Sequence, residues 1–186
     1  MPIFRTGQGK HALAAAMAAV KMGDRLLQVG CTDGALLGAI ASKAGLSGRA
    51  CLIVESEAGA ARGRAGAAQS GTLLEVEIAP LGPLPYDDRS FDVVVIDSLN
   101  GLIARGDPAA RAACLRDVRR VLAPRGRVVV IERVARPGLA GWFSREPVDP
   151  GYRAAGGAAA VLKAEGFGVV RILAERDGLS FVEALG

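Results

Sequence analysis

The stretch Arg25 to Ile40, RLLQVGCTDGALLGAI, sets an apolar run against a Gly-containing turn and then an apolar pattern at helical spacing. A strand, a tight turn and a helix are expected there. Such a turn presents backbone N–H groups at a helix N-terminus, and Gly30 and Gly34 carry no side chain to keep a ligand off the backbone. That is the chemistry of a ligand seat. Other reactive types are sparse. His11 is the sole histidine and so the one side chain whose ordinary pKa lies near neutrality, yet its place in an Ala-rich helix favours a surface role over that of a general base. Cys31 falls at the expected helix N-terminus, where thiol pKa values can drop, but no second group is identifiable that would make it a nucleophile. Cys31, Cys51 and Cys114 include no CxxC pair, so neither a zinc site nor a disulfide framework is indicated, and no metal is expected.

A chain of 186 residues falls within the usual size of one domain, so residues 1–186 are expected to form a single unit. Hydrophobic residues make up 51% and aromatics 4%, which leaves Ala, Val, Leu and Ile to build the core and favours buried parallel strands and Ala-rich helices. The net charge of +4 is spread along the chain and interleaved with 19 acids, so no nucleic-acid partner is expected. With no CxxC pair and no stretch near the ~20 apolar residues of a membrane span, the expectation is a cytoplasmic protein without membrane insertion. The run HALAAAMAAV superficially resembles a signal peptide but leads directly into the first strand, and is taken as a helix.

The pattern predicts a helix from about Gly9 to Met22 capped by Gly23, a strand at Arg25–Val29, and a helix over Leu36–Ala44 stopped by Gly45. Strands follow at Ala50–Glu55 and Thr72–Glu77, separated by a Gly-interrupted helix over Glu57–Gln69. The Pro-rich segment APLGPLPYDDRS is a loop entering a fourth strand, Phe91–Asp97. Asp107-Pro108 places an N-cap before proline at the first helical position, and a helix runs to Leu122, before Pro124-Arg125-Gly126. A fifth strand spans Arg127–Glu132, and a last helix ends at Glu165 with Gly166 as its cap. Asp177-Gly178 between two apolar-rich runs marks an antiparallel hairpin. The fold class is therefore α/β, a doubly wound and mostly parallel sheet with a terminal antiparallel hairpin.

Four segments in order carry a resemblance: LLQVGCTDG, VESE, LPYDDRSFDVVVID and LRDVRRVLAPRGRVVVIE, followed by AEGFGVV and the hairpin. Together they resemble the class I S-adenosylmethionine-dependent methyltransferases, Rossmann-like seven-stranded sheets whose last strand is antiparallel, over about Gly9 to Leu185. The resemblance implies S-adenosylmethionine as cofactor. Gly30, Cys31 and Gly34 then line its methionine part, Gln28 stands at the strand position before them, and Glu55 matches the acid that holds both ribose hydroxyls. Ser56 lies beside the adenine, Glu77 is the nearest candidate for the acid that meets the adenine amino group, and Asp97, Ser98 and Asn100 form the far wall near the methyl. Two departures stand out: Gln28 replaces a common acid, and Thr32 a common glycine.

Transfer from a sulfonium needs alignment more than a strong base, so the implied activity is methyl transfer to an unidentified acceptor without an acid/base cluster. The chain carries no large inserted cap, which makes a small-molecule acceptor the default. Trp142-Phe143, flanked by Arg136 and Arg145, and Tyr86 are candidates to shape the acceptor pocket or simply to anchor loops. The departures at Gln28 and Thr32 motivate the alternative of a binding or scaffold protein that has kept the fold and lost turnover. A nucleotide-binding oxidoreductase is disfavoured, since Gly-x-Gly-x-x-Gly is missing and the hairpin is present.

Overall fold

The computed structural model describes residues 6–134 and 149–186. Within them, helix α1 (Thr6–Ala18) precedes strand β1 (Arg25–Val29), helix α2 (Gly34–Ala41), strand β2 (Arg49–Val54), helix α3 (Glu57–Ser70) and strand β3 (Glu75–Ile78). Strand β4 (Phe91–Ser98), helices α4 (Leu102–Arg105) and α5 (Pro108–Val121), and strand β5 (Leu122–Arg133) follow. Helices α6 (Pro150–Ala155) and α7 (Gly157–Ala164) then lead to the hairpin β6 (Gly168–Arg176) and β7 (Leu179–Leu185). The seven strands form one sheet in the order β3-β2-β1-β4-β5-β7-β6, parallel from β1 to β5, with β7 antiparallel to both β5 and β6. No helix of the described residues is long and apolar enough to cross a membrane.

Strand alternation divides the core into two layers. Leu27, Val29, Ile53, Val94, Ile96 and Val128 face α4, α5 and α7 through Ile103, Leu115, Val118 and Leu162. Leu26, Leu52, Val93, Val95 and Val129 face α1 and α2 through Ala14, Ala18, Leu37 and Ile40, with Ala60 of α3 beside them. The central parallel strands are therefore apolar on both faces, as burial under helices requires, except for Gln28 in β1 and Asp97 and Ser98 at the end of β4. The Gly-interrupted α3 forms because its glycines are a packing surface: a Cβ at Gly66 would overlap the Gly34 carbonyl, and one at Gly34 would overlap that of Arg62. Helices α2 and α3 thus meet backbone to backbone.

Several expectations are corrected. Helix α1 ends at Ala18, four residues before the expected end at Met22. Ala19 turns at φ +47° while Val20 enters the core, and Arg127 of β5 donates to the carbonyls of Ala18 and Ala19. A long-range partner, not Gly23, closes that helix. Strand β3 starts at Glu75 and pairs along one edge only, with Cys51 to Val54. Strand β5 starts at Leu122, and the expected Pro124-Arg125-Gly126 stop is instead a bulge between two stretches paired to β4, with Arg125 at φ +67°. The last helix is broken at Gly156-Gly157, both at positive φ. Helix α4 was absent from the expected pattern. The hairpin follows expectation, with Asp177 (φ 55°) and Gly178 (φ 76°) forming the type I′ turn that suits twisted strands.

Candidate functional site

The strand order reverses between β2-β1 and β4, the switch point at which open α/β sheets bind ligands beyond the C-terminal strand ends. A cavity of about 250 Å³ occupies this position. Its floor is apolar, built from Val29 of β1, Ile53 of β2, Leu84, and Leu102 and Cys114 from α4 and α5. One wall is the turn after β1 with Gly30 and Cys31; another is the turn after β2 with Glu55, Ser56 and Gly59. Ala79 to Gly82 close the side after β3, and Asn100 and Arg105 the side after β4.

The turn after β1 is held from several directions. Gly30 sits at φ +84°, and a Cβ there would lie 2.8 Å from the Asp97 carbonyl and 2.9 Å from Leu102, so the close approach of β1 to β4 requires glycine. The Gly30 amide donates to the Ile53 carbonyl at 2.8 Å. Asp97, 1% exposed, accepts from the amides of Thr32 at 2.7 Å and Leu99 at 3.1 Å. Its carboxyl is pushed above the ordinary range by burial, against which the two amides pull down. Arg62 of α3 donates through Nε to the Cys31 carbonyl at 3.1 Å. Gln28 is fully buried in β1, and its Nε2 donates to the Gly30 carbonyl at 3.0 Å.

At the opposite wall Glu55 follows β2 and is exposed into the cleft. The Leu81 amide donates to its Oε1 at 3.4 Å, which turns the carboxylate toward the loop after β3. Ser56 caps α3 by accepting from the Gly59 amide at 3.3 Å. The loop from Ala79 to Ser90 is pinned from α5: Asp117 accepts from the Leu84 amide at 2.7 Å, and Arg120 donates to the carbonyls of Leu84 and Tyr86 and to Asp88. Tyr86 itself packs edge-on against Phe91, with ring centroids 5.0 Å apart, at partial burial. It serves that anchor and lies outside the cavity lining.

The structure therefore brings Gly30, Cys31, Glu55 and Ser56 together around one cavity and leaves Gln28, Gly34, Glu77, Asp97 and Ser98 outside its lining. Gly34 is consumed by the contact with α3, Gln28 and Asp97 lie beneath the turn as supports, and Ser98 Oγ accepts from the Ile103 amide at 3.2 Å, holding α4. Glu77 is exposed on the edge strand β3, and the cavity wall after that strand is made by Ala79, Pro80 and Leu81 instead. Cys31 is buried, and desolvation with the Asp97 charge pushes its thiol up to about 11, so it is no thiolate at neutral pH. His11 pairs through Nε2 with Asp33 at 2.9 Å, and neither residue lines the cavity. Trp142, Phe143, Arg136 and Arg145 lie outside the described residues.

Arg62 and Arg105 are the site groups that the sequence reading missed, whereas Asn100, expected in the far wall, does line the cavity. The exposed arginines carry no signal among so many others, and the orphaned state of Asn100 exists only in three dimensions. Among the described residues three buried side-chain oxygens have no partner: Asn100 Oδ1, on a cavity-lining residue, Thr32 Oγ1, in the turn after β1, and Gln28 Oε1, beneath Gly30. No group of metal-ligating side chains is found among the described residues.

Comparison with known proteins places this geometry. The family model described as "Methyltransferase domain" matches residues 26–126, from β1 into β5. A SAM-dependent methyltransferase from Aquifex aeolicus is similar over 94% of this chain and 88% of its own, at 18% identity and a TM-score of 0.72. An S-adenosylmethionine-dependent methyltransferase from Mesorhizobium loti is similar at 22% identity and a TM-score of 0.60, over 94% of this chain and 96% of its own. The [4+2]-cyclase SpnF shares the fold at 18% identity and a TM-score of 0.69, over 95% and 79% of the two chains, so the fold by itself does not fix the reaction. The matched segment covers more than half of the sequence and contains the turn after β1, Glu55 and the β4 end, and with it the chain belongs to the class I S-adenosylmethionine-dependent methyltransferases.

Proposed function

We propose that the chain transfers a methyl group from S-adenosylmethionine to a small-molecule acceptor, with the cofactor seated in the cavity between Gly30-Cys31 and Glu55. The observation that carries this is the placement of an outward carboxylate across an apolar-floored cavity from a glycine turn, at the reversal of strand order. When bound, S-adenosylmethionine supplies an already activated methyl, so the protein's task is to align and to exclude water.

The two oxygens of Glu55 suit the vicinal ribose hydroxyls, with Leu81 N–H fixing the carboxylate's direction. The apolar floor and the Ala79–Gly82 wall suit a flat base, which this chain would meet through backbone and aliphatic groups in place of an acid. Cys31 contributes main chain rather than sulfur. Arg62, already oriented by the Cys31 carbonyl, offers its terminal nitrogens to the cofactor carboxylate. Gln28 acts beneath this seat through its Nε2, which holds the Gly30 carbonyl, and meets the cofactor only through the turn it supports.

Replacing Glu55 by Ala removes a charged acceptor of two hydrogen bonds. The expected loss is about 1.5–3 kcal/mol, a roughly 10- to 150-fold rise in Kd for S-adenosylhomocysteine, measured by calorimetry with an unchanged circular dichroism spectrum. An unchanged Kd removes the ribose assignment.

A further inference from the structure

Three charged side chains line the cavity among the described residues: Glu55, Arg62 and Arg105. Arg62 is tied to the turn after β1 by its bond to the Cys31 carbonyl. Arg105 belongs to the loop after β3. It ends α4, and the next residue, Gly106, lies so close to that loop that a Cβ there would stand 3.0 Å from Leu81 Cδ2. Leu81 in turn sends its amide to Glu55 Oε1. The end of α4, the wall of Ala79 to Gly82 and the Glu55 carboxylate therefore form one corner of the cavity. Two acids stand near α4, and both are engaged elsewhere: Asp107 Oδ2 caps α5 through the Ala110 amide, and Asp149 takes the Gly151 amide and lies 3.5 Å from Arg111. The corner also has no side-chain acceptor to spare. Ala79 to Gly82 carry no polar side chain, Glu77 lies outside the lining, Ser56 Oγ caps α3, and Asn100 Oδ1 is buried. Of the wall's main-chain donors, the Ala79 amide goes to the Val54 carbonyl, the Leu81 amide goes to Glu55, and Pro80 has none. Arg105 is the side-chain donor of this corner.

We propose that this corner holds the purine of the cofactor through a donor, Arg105, and not through an acceptor, so that the 6-amino group goes unread and a hypoxanthine counterpart binds about as well as the adenine compound. The inference rests on the cofactor position proposed above. With the ribose on Glu55, whose carboxylate is turned toward Leu81, the base falls against Ala79 to Gly82. A guanidinium carries five N–H donors and no acceptor. Adenine presents an acceptor at N7 and a donor at its amino group, whereas a 6-oxo purine presents acceptors at both places. Arginine can therefore bond N7 of either base and O6 of the second, and has nothing with which to accept from the amino group. A site that bonds a polar group of its ligand rejects the analogue lacking it because its own buried partner is left unpaired, and no such side-chain partner stands here. The carbonyls of Ala79, Pro80 and Leu81 belong to residues that are half-buried or exposed, where water replaces a missing donor at little cost.

The test is calorimetric titration of the protein with S-adenosylhomocysteine and with S-inosylhomocysteine, which differ only in the base. The two Kd values are expected to lie within about fivefold of each other. Arg105→Met, which keeps an unbranched chain without donors, is expected to weaken the inosyl compound about tenfold, as loss of a charge-assisted contact does, and the adenosyl compound less. Arg105→Glu, which supplies an acceptor, is expected to favour the adenosyl compound by about tenfold or more. A merely structural role for Arg105 would move both affinities together and leave their ratio fixed. The inference alone is overturned if the parent chain binds the adenosyl compound and holds the inosyl compound more than about fivefold less tightly, or if the ratio is the same in the parent and both variants. Binding of neither compound overturns it together with the cofactor reading.

Discussion

Asp97, at the end of β4, and Cys31, in the turn after β1, bear on that turn in opposite senses. Asp97 is a buried carboxylate retained because it satisfies two amides, those of Thr32 and Leu99, that would otherwise be orphaned at the strand ends. Asparagine at this position keeps one acceptor and turns an N–H₂ toward one of the amides. Asp97→Asn is therefore expected to destabilise the fold by about 1–3 kcal/mol and to weaken S-adenosylhomocysteine binding; a variant as stable as the parent in urea contradicts the clamp. Cys31 carries no such burden. With its thiol raised to about 11 by burial, alkylation by iodoacetamide at neutral pH is expected to be slower than that of free cysteine, and methyl transfer is expected to survive Cys31→Ala. Rapid modification with matching loss of turnover would restore the thiol to the chemistry.

The loop from Ala79 to Ser90 has little regular structure of its own, and α5 supplies its order. Arg120 holds the Asp117 carboxyl below its ordinary value of 3.8, through two hydrogen bonds and their charge. The stability this pair adds is present above that value and is lost as the pH falls through the lowered folded-state value. In acid the melting temperature of Asp117→Asn is expected to fall less steeply than that of the parent chain, and parallel curves would show that the pair does not couple to folding. The α2-α3 contact is the second element that shapes the site, since it sets the distance between the turn after β1 and Arg62. Gly66→Ala, whose Cβ would overlap the Gly34 carbonyl, is expected to cost at least about 2 kcal/mol in urea denaturation, and an unchanged midpoint would mean that the helices can separate freely. These elements also show what the sequence conveys. Asp107-Pro108 and Asp177-Gly178 act through neighbours in the chain and were legible. The end of α1 was not, because it depends on Arg127 from a distant strand, and α4 was not, because a four-residue helix held by Ser98 has no periodicity to detect. Glu55 was legible as the acid ending an apolar run, whereas the contact of Gly34 with α3 and the edge position of Glu77 in β3 depend on long-range packing that the sequence does not display.

At the scale of the molecule, the excess of cations is not uniform. Salt bridges engage Arg25, Arg49, Arg64, Arg111, Arg116, Arg120, Arg127 and Arg171, whereas Arg62 and Arg105 line the cleft without carboxylate partners among the described residues. The sheet order, the glycine turn and Glu55 converge on a cofactor cleft, and the decisive measurement is a calorimetric titration of the protein with S-adenosylmethionine and S-adenosylhomocysteine, run in parallel on Glu55→Ala. Saturable binding of both in the micromolar range, about −8 kcal/mol, weakened in the variant, is the predicted result. Absence of binding at millimolar ligand, or equal affinity in the variant, would contradict the placement of the cofactor between Gly30 and Glu55.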